Sequence, residues 1–105
     1  MNYKPDGYRF ILIDTADDPL IKLFASWSGG YLDADAWRMN SGCSKIVETE
    51  ENYLVYGFSG SCYTLRKHQG NLNAYSSSVY AKILEQSGVK EIGVQEAIKI
   101  LEELK

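Results

Sequence analysis

Apolar positions repeat every second residue through the first two thirds of the chain, then at close to helical spacing to the end. The first clear run, Tyr8 to Asp14, contains Phe10-Ile11-Leu12-Ile13, apolar on both faces, which predicts a buried strand. Residues 1–7 read as a polar lead-in closed by the turn signal Pro5-Asp6-Gly7, and Asp17-Asp18-Pro19 reads as a second turn. From Ile21 to Trp27 the alternation is clean, with Ile21, Leu23, Ala25 and Trp27 on one face. Ser28-Gly29-Gly30 breaks that run with residues that suit a tight hairpin, so Tyr31 to Met39 is expected to return as its partner. Ser41-Gly42 turns again. Lys45 to Thr49 and Tyr53 to Ser59 form strands around a polar tip at Glu50-Glu51-Asn52, and Ser61 to Lys67 forms the last strand.

Past His68-Gln69-Gly70-Asn71 the period changes. Tyr75, Val79, Tyr80, Ile83 and Leu84 fall on one helical stripe, with Asn71 or Asn73 as N-cap and Gly88 as the stop. Residues 89–93 read as a link to a second helix, faced by Val94, Ala97, Ile98, Leu101 and Leu104. Ile100 lies off that stripe, either exposed or at an oligomer contact. Serines at 76, 77 and 78 are mediocre helix formers. They either allow a neighbouring element to approach closely or face solvent. Strands first and helices last predict an α+β domain over residues 1–105: an antiparallel sheet of five or six strands followed by two C-terminal helices packed on one face.

Composition adds exclusions. At 105 residues the chain fits one domain that buries roughly 65% of its unfolded surface. Hydrophobic residues at 45% and charged residues at 24% argue against intrinsic disorder. A net charge of −3, with Arg66-Lys67-His68 as the only basic cluster, is unsuited to nucleic acid. No apolar run approaches the roughly 18 residues of a membrane span, and the N-terminus lacks the apolar segment of a signal peptide. A cytoplasmic location is therefore expected, with Cys43 and Cys62 as free thiols.

Reactive signatures are sparse. Gly57-Phe58-Ser59-Gly60-Ser61 approaches a nucleophile elbow, but its last position is Ser and a strand follows instead of a helix, so a turn is the better reading. His68 is the only histidine and has no orienting acid in view. Asp33 and Asp35 offer two oxygens without further metal ligands, so no metal or cofactor is expected. The aromatic set is more informative. Trp27, Tyr31, Trp37, Tyr56, Tyr63, Tyr75 and Tyr80 carry large apolar bodies with polar tips, which serve either as core packing or as the lining of a small-molecule pocket, and Asp33 and Asp35 lie near the first of them in sequence. Rings and carboxylates together would favour a cation.

The segments Trp27-Ser28-Gly29-Gly30-Tyr31, Asp35-Ala36-Trp37-Arg38-Met39-Asn40-Ser41-Gly42 and Ser59-Gly60-Ser61-Cys62-Tyr63 resemble the small cassette proteins of bacterial integrons. That resemblance implies a compact cytoplasmic α+β protein, often oligomeric and accessory in role. It transfers no catalytic residue. The expected function is a non-enzymatic homodimeric domain that binds a small organic ligand, with cations favoured, through Trp27, Tyr31, Asp33, Asp35, Trp37, Tyr56 and Tyr63. A protein–protein or immunity-type accessory module and a small enzyme stay open as alternatives.

Overall fold

The computed structural model describes residues 2–14, 18–27 and 36–104. Its elements run β1 (Asn2–Tyr3), β2 (Gly7–Ile13), β3 (Leu20–Trp27), β4 (Ala36–Met39), β5 (Cys43–Glu48), β6 (Asn52–Gly57), β7 (Cys62–Arg66), α1 (Ala74–Leu84), β8 (Val89–Ile92) and α2 (Val94–Glu103). The expected hairpin glycines Gly29 and Gly30, together with Tyr31, Asp33 and Asp35, lie outside the described residues.

The fold is α+β, but its strands form two sheets of four instead of one sheet of five or six. The first has the order β1-β7-β6-β5 and the second β4-β3-β2-β8. Alternation reports which residues share a face, not which strands pair, so the change of sheet at Asn40–Gly42 left no mark in the pattern. Two strands were also missed. β1 came from the polar lead-in and pairs parallel with β7. β8 came from the presumed link and pairs antiparallel with β2, Phe10 opposite Ile92 and Ile13 opposite Val89. With two and four residues, they are too short for a period to register.

The second sheet is covered on both faces, as the doubly apolar β2 requires. On one side Tyr8, Phe10, Ile21, Leu23 and Ala25 meet Tyr53, Val55, Tyr63 and Leu65 of the first sheet, with Ala97 and Leu101 of α2 in the same buried layer. On the other, Ile11 and Phe24 meet Tyr80 of α1, with Trp37, Met39, Val79 and Ile83 around them. The helices thus sit on opposite faces of the second sheet, not together on one. A helical stripe shows that a face is buried and is silent on which surface buries it.

Asn73 caps α1, its side chain accepting from the Ser76 N–H at 2.7 Å. The expected stripe holds at Val79, Tyr80, Ile83 and Leu84 and differs at its first turn. Ser76 is 0% exposed while Tyr75 is 54% exposed. The Ser76 hydroxyl accepts from Ser26 Oγ of β3 at 2.9 Å, so a small residue brings α1 down onto the sheet. Gly88 does not stop α1; the C-cap is Glu85, and Gly88, at φ 78°, turns the chain into β8. Ile100 packs against the core, whereas Leu104, just past α2, is 45% exposed.

At the corner between β1 and β2 the chain passes from one sheet to the other. Asp6 N–H donates to Ser26 O at 2.9 Å, and Tyr8 N–H donates to Gln69 O at 3.0 Å. The 70–71 segment presses against this corner. Gly70 has φ 69°, and a Cβ there would lie 2.4 Å from Asp6 O. Both the handedness and the close approach require glycine.

Candidate functional site

Four of the seven expected site residues are described, and they occupy three surfaces. Trp27 and Tyr63 come together through Tyr3. Tyr3 stacks on Tyr63 at 4.9 Å between ring centres and meets Trp27 edge-on at 6.2 Å. The Trp27 indole N–H donates to Lys4 O at 3.0 Å, and the Arg38 guanidinium lies 4.7 Å from the centre of the Tyr3 ring. Trp37 is on the opposite face of the second sheet, stacked on Phe24 at 5.3 Å. Tyr56 lies on the outward face of the first sheet, with the Lys45 ammonium 5.9 Å from its ring centre. A third ring, Tyr53, faces Lys67 at 4.4 Å. The cations that these tyrosine rings attract are thus supplied by the chain itself.

The polar groups that do converge lie between β2 and α1. Alternation along β2 points Arg9 to the same face as Ile11, toward α1, and β8 places Glu91 opposite Ile11. Tyr80 of α1 reaches down between them. Its hydroxyl donates to Glu91 Oε1 at 2.6 Å, and Arg9 Nε lies 3.9 Å from the same oxygen. Arg9 is only 17% exposed. Its Nη1 donates to Tyr8 O at 2.7 Å and to Gly70 O at 2.9 Å. The Gln69 amide oxygen, turned to face it, accepts from Nη1 and Nε at 3.1 Å each. Burial, then the hydrogen bond to Glu91 and its charge, hold the Tyr80 hydroxyl well above the ordinary tyrosine range.

This network edges a groove of about 440 Å³. It is lined by Arg9 of β2, by Asn71 and Leu72 of the segment before α1, and by Ser77, Tyr80, Ala81 and Leu84 on one face of α1. The Tyr80 ring is 5.1 Å from Phe24, which stacks on Trp37. A ladder of three rings therefore links Trp37, one of the expected site residues, to the groove. Arg9 and Glu91 were not anticipated. The available signal was a single charge inside an apolar strand, Tyr8-Arg9-Phe10-Ile11, which a buried strand tolerates only if the charge is partnered.

Other candidates are occupied structurally. His68 is exposed, and its Nδ1 accepts from Gly70 N–H at 3.1 Å. The Gly57–Ser61 segment is a turn closed by Gly57 N–H to Ser61 O at 2.9 Å, with Gly60 at φ 91°. In the basic run, Arg66 pairs with Asp6 and Lys67 with Glu48. Both cysteines are free, Cys43 buried and Cys62 half-buried. Burial pushes the Cys43 thiol up to about 11, leaving it a poor nucleophile near neutrality. Among the described residues no group of three or more His, Cys, Asp or Glu could hold a metal ion, and no helix is long and apolar enough to cross a membrane. A second, smaller groove of about 250 Å³ runs past Leu20, Cys43 and Leu101, with Phe58, 64% exposed, and Leu104 at its edge.

No protein-family model, curated protein or solved structure matches the chain.

Proposed function

We propose that this chain is a non-catalytic binding domain for a small organic molecule, seated in the groove between β2 and α1. The observation that carries this reading is the convergence there of a largely buried arginine, a tyrosine held by Glu91 and two leucines on one groove. Apolar concavities with a few directed polar groups are the usual form of a small-molecule site. Tyr80 is held protonated and Cys43 is both buried and protonated near neutrality, which favours binding over proton transfer or nucleophilic attack. The reading keeps the small-ligand function expected from the sequence and gives it a different seat. It also disfavours a cationic ligand, because the cation already beside the groove is Arg9.

The test is a screen of neutral, anionic and cationic fragments against the isotopically labelled protein by amide chemical-shift mapping. Shifts concentrated at Arg9, Leu72, Tyr80 and Leu84 are the expected result. Saturable shifts confined to Trp27, Tyr63 or Tyr56, or no saturable shift with any fragment, would overturn the reading. Dimer formation, which the sequence also led us to expect, is read in the same samples from the mass in solution.

A further inference from the structure

We infer that the head group recognised in this groove is a carboxylate, carried on a short alkyl or aryl tail. The inference rests on the groove being the binding site and concerns the chemistry of its ligand. It follows from an accounting of the Arg9 donors. A guanidinium carries five N–H groups in a rigid fork and is charged at any pH a protein experiences. The Nη1 hydrogens go to Tyr8 O and Gly70 O, and the Gln69 amide oxygen takes Nε and shares Nη1. Nη2 makes no hydrogen bond to any described residue. No buried side-chain nitrogen or oxygen among the described residues lacks a partner. Nη2 is therefore not sealed in the interior, and Arg9 lines the groove. Its carbonyl contacts fix the fork in place, so little side-chain freedom remains to be lost when an acceptor arrives.

A carboxylate suits such a donor better than a neutral carbonyl, because hydrogen bonds between two charged partners are shorter and stronger. Glu91 sets the limit. Its oxygen, 3.9 Å from Nε, offsets the charge of Arg9. Binding must then come from directed N–H contacts and tail burial, not from a net positive field. Affinity near the millimolar range is the expectation for so small a contact, on the order of 1 mM. Leu72, Ala81 and Leu84 supply the surface for the tail, which separates such a ligand from an inorganic anion.

The experiment titrates the wild-type protein with hexanoate, hexanamide, hexylammonium and inorganic phosphate, following amide shifts and the Arg9 side-chain Nε–H. Hexanoate is expected to bind about tenfold or more tightly than hexanamide, a step equal to about 1.4 kcal/mol. It should move the signals of Arg9, Leu72 and Leu84, while phosphate moves none of the leucine signals. Arg9→Lys, which keeps the charge and removes the fork, should bring hexanoate down to the level of hexanamide. Should that variant fail to fold, the wild-type series still decides. Equal binding of hexanoate, hexanamide and hexylammonium at the groove would overturn the carboxylate inference and leave the groove as a site. Shifts from hexanoate at Lys22, Lys45 or Lys90 alone would overturn the inference as well. No groove shift with any of the four would overturn both readings.

Discussion

Cys43 and Cys62 differ in chemistry because of what surrounds them. Cys43 is 1% exposed, accepts a hydrogen bond from Asn40 Nδ2 at 3.4 Å, and has its thiol raised to about 11 by burial. Cys62 is half-buried on the outward face of the first sheet. A thiol reagent at pH 8 should therefore label Cys62 in the native protein and reach Cys43 only after denaturation. Peptide mapping of the labelled chain checks this, and equal labelling rates would contradict it. Ser76 gives a second test at this scale. Ser76→Ala removes the hydroxyl that meets Ser26 and should cost about 1 kcal/mol. Ser76→Leu forces a large side chain between α1 and β3 and should cost more, about 1–3 kcal/mol from overpacking alone. Urea unfolding orders the two. The candidate site was only half legible at this scale. Tyr80 and Trp37 both stood in the aromatic set, but their meeting through Phe24 depends on how α1 lies across the sheet. Arg9 was visible as a charge in an apolar strand. Its partner Glu91 was hidden because four residues of β8 carry too little pattern to announce a strand.

The elements owe their placement to a few polar anchors. Asn73 is the best placed of them. Its Oδ1 accepts from Ser76 N–H at 2.7 Å, and its Nδ2 donates to Trp27 O at 2.9 Å and Ser26 Oγ at 3.2 Å. One side chain therefore starts α1 and ties that start to the end of β3. Asn73→Ala should lower stability by about 1–2 kcal/mol, the range for a lost cap. Asn73→Asp keeps the acceptor and loses the donor, so it should recover the cap and not the tie. Thermal melting of both variants separates the two contributions; equal losses would mean that the cap contributes nothing. Sequence reading did well where an element is long, as in Ile21–Trp27 and Val94–Leu101. It did poorly where tertiary contact decides. Ser76 is buried in preference to Tyr75 because its short side chain meets the Ser26 hydroxyl of β3 at 2.9 Å. The parallel pairing of β1 with β7 joins residues far apart in sequence, and no local pattern encodes it.

Across the whole molecule, Tyr8 joins the two sheets. It belongs to β2, its ring lies in the layer between the sheets at 3% exposure, and its hydroxyl donates to Arg66 O at the end of β7 at 2.5 Å. Burial first, then the neighbouring Tyr53, raises this phenol from 10.0 to about 12. The folded state thus favours the protonated form more than the unfolded state does. Its contribution is complete below pH 10, the unfolded value, and is lost as pH rises through about 12. Tyr80, also raised by burial and by Glu91, acts in the same direction on the far face of the second sheet. The fold should therefore weaken progressively between pH 10 and 12. Burial raises Tyr63 as well, so Tyr8→Phe removes one of three contributions. It should cost about 1 kcal/mol at pH 7 through the lost hydrogen bond to Arg66 O, and its stability should fall less steeply than that of the wild type above pH 10. Denaturant unfolding of both proteins at pH 7, 10 and 11 measures the difference directly. A variant whose curve stays parallel to the wild type over that interval would show that Tyr8 is as free to ionise in the folded protein as in the unfolded chain, and no offset at pH 7 would show that its hydroxyl does not hold the two sheets together.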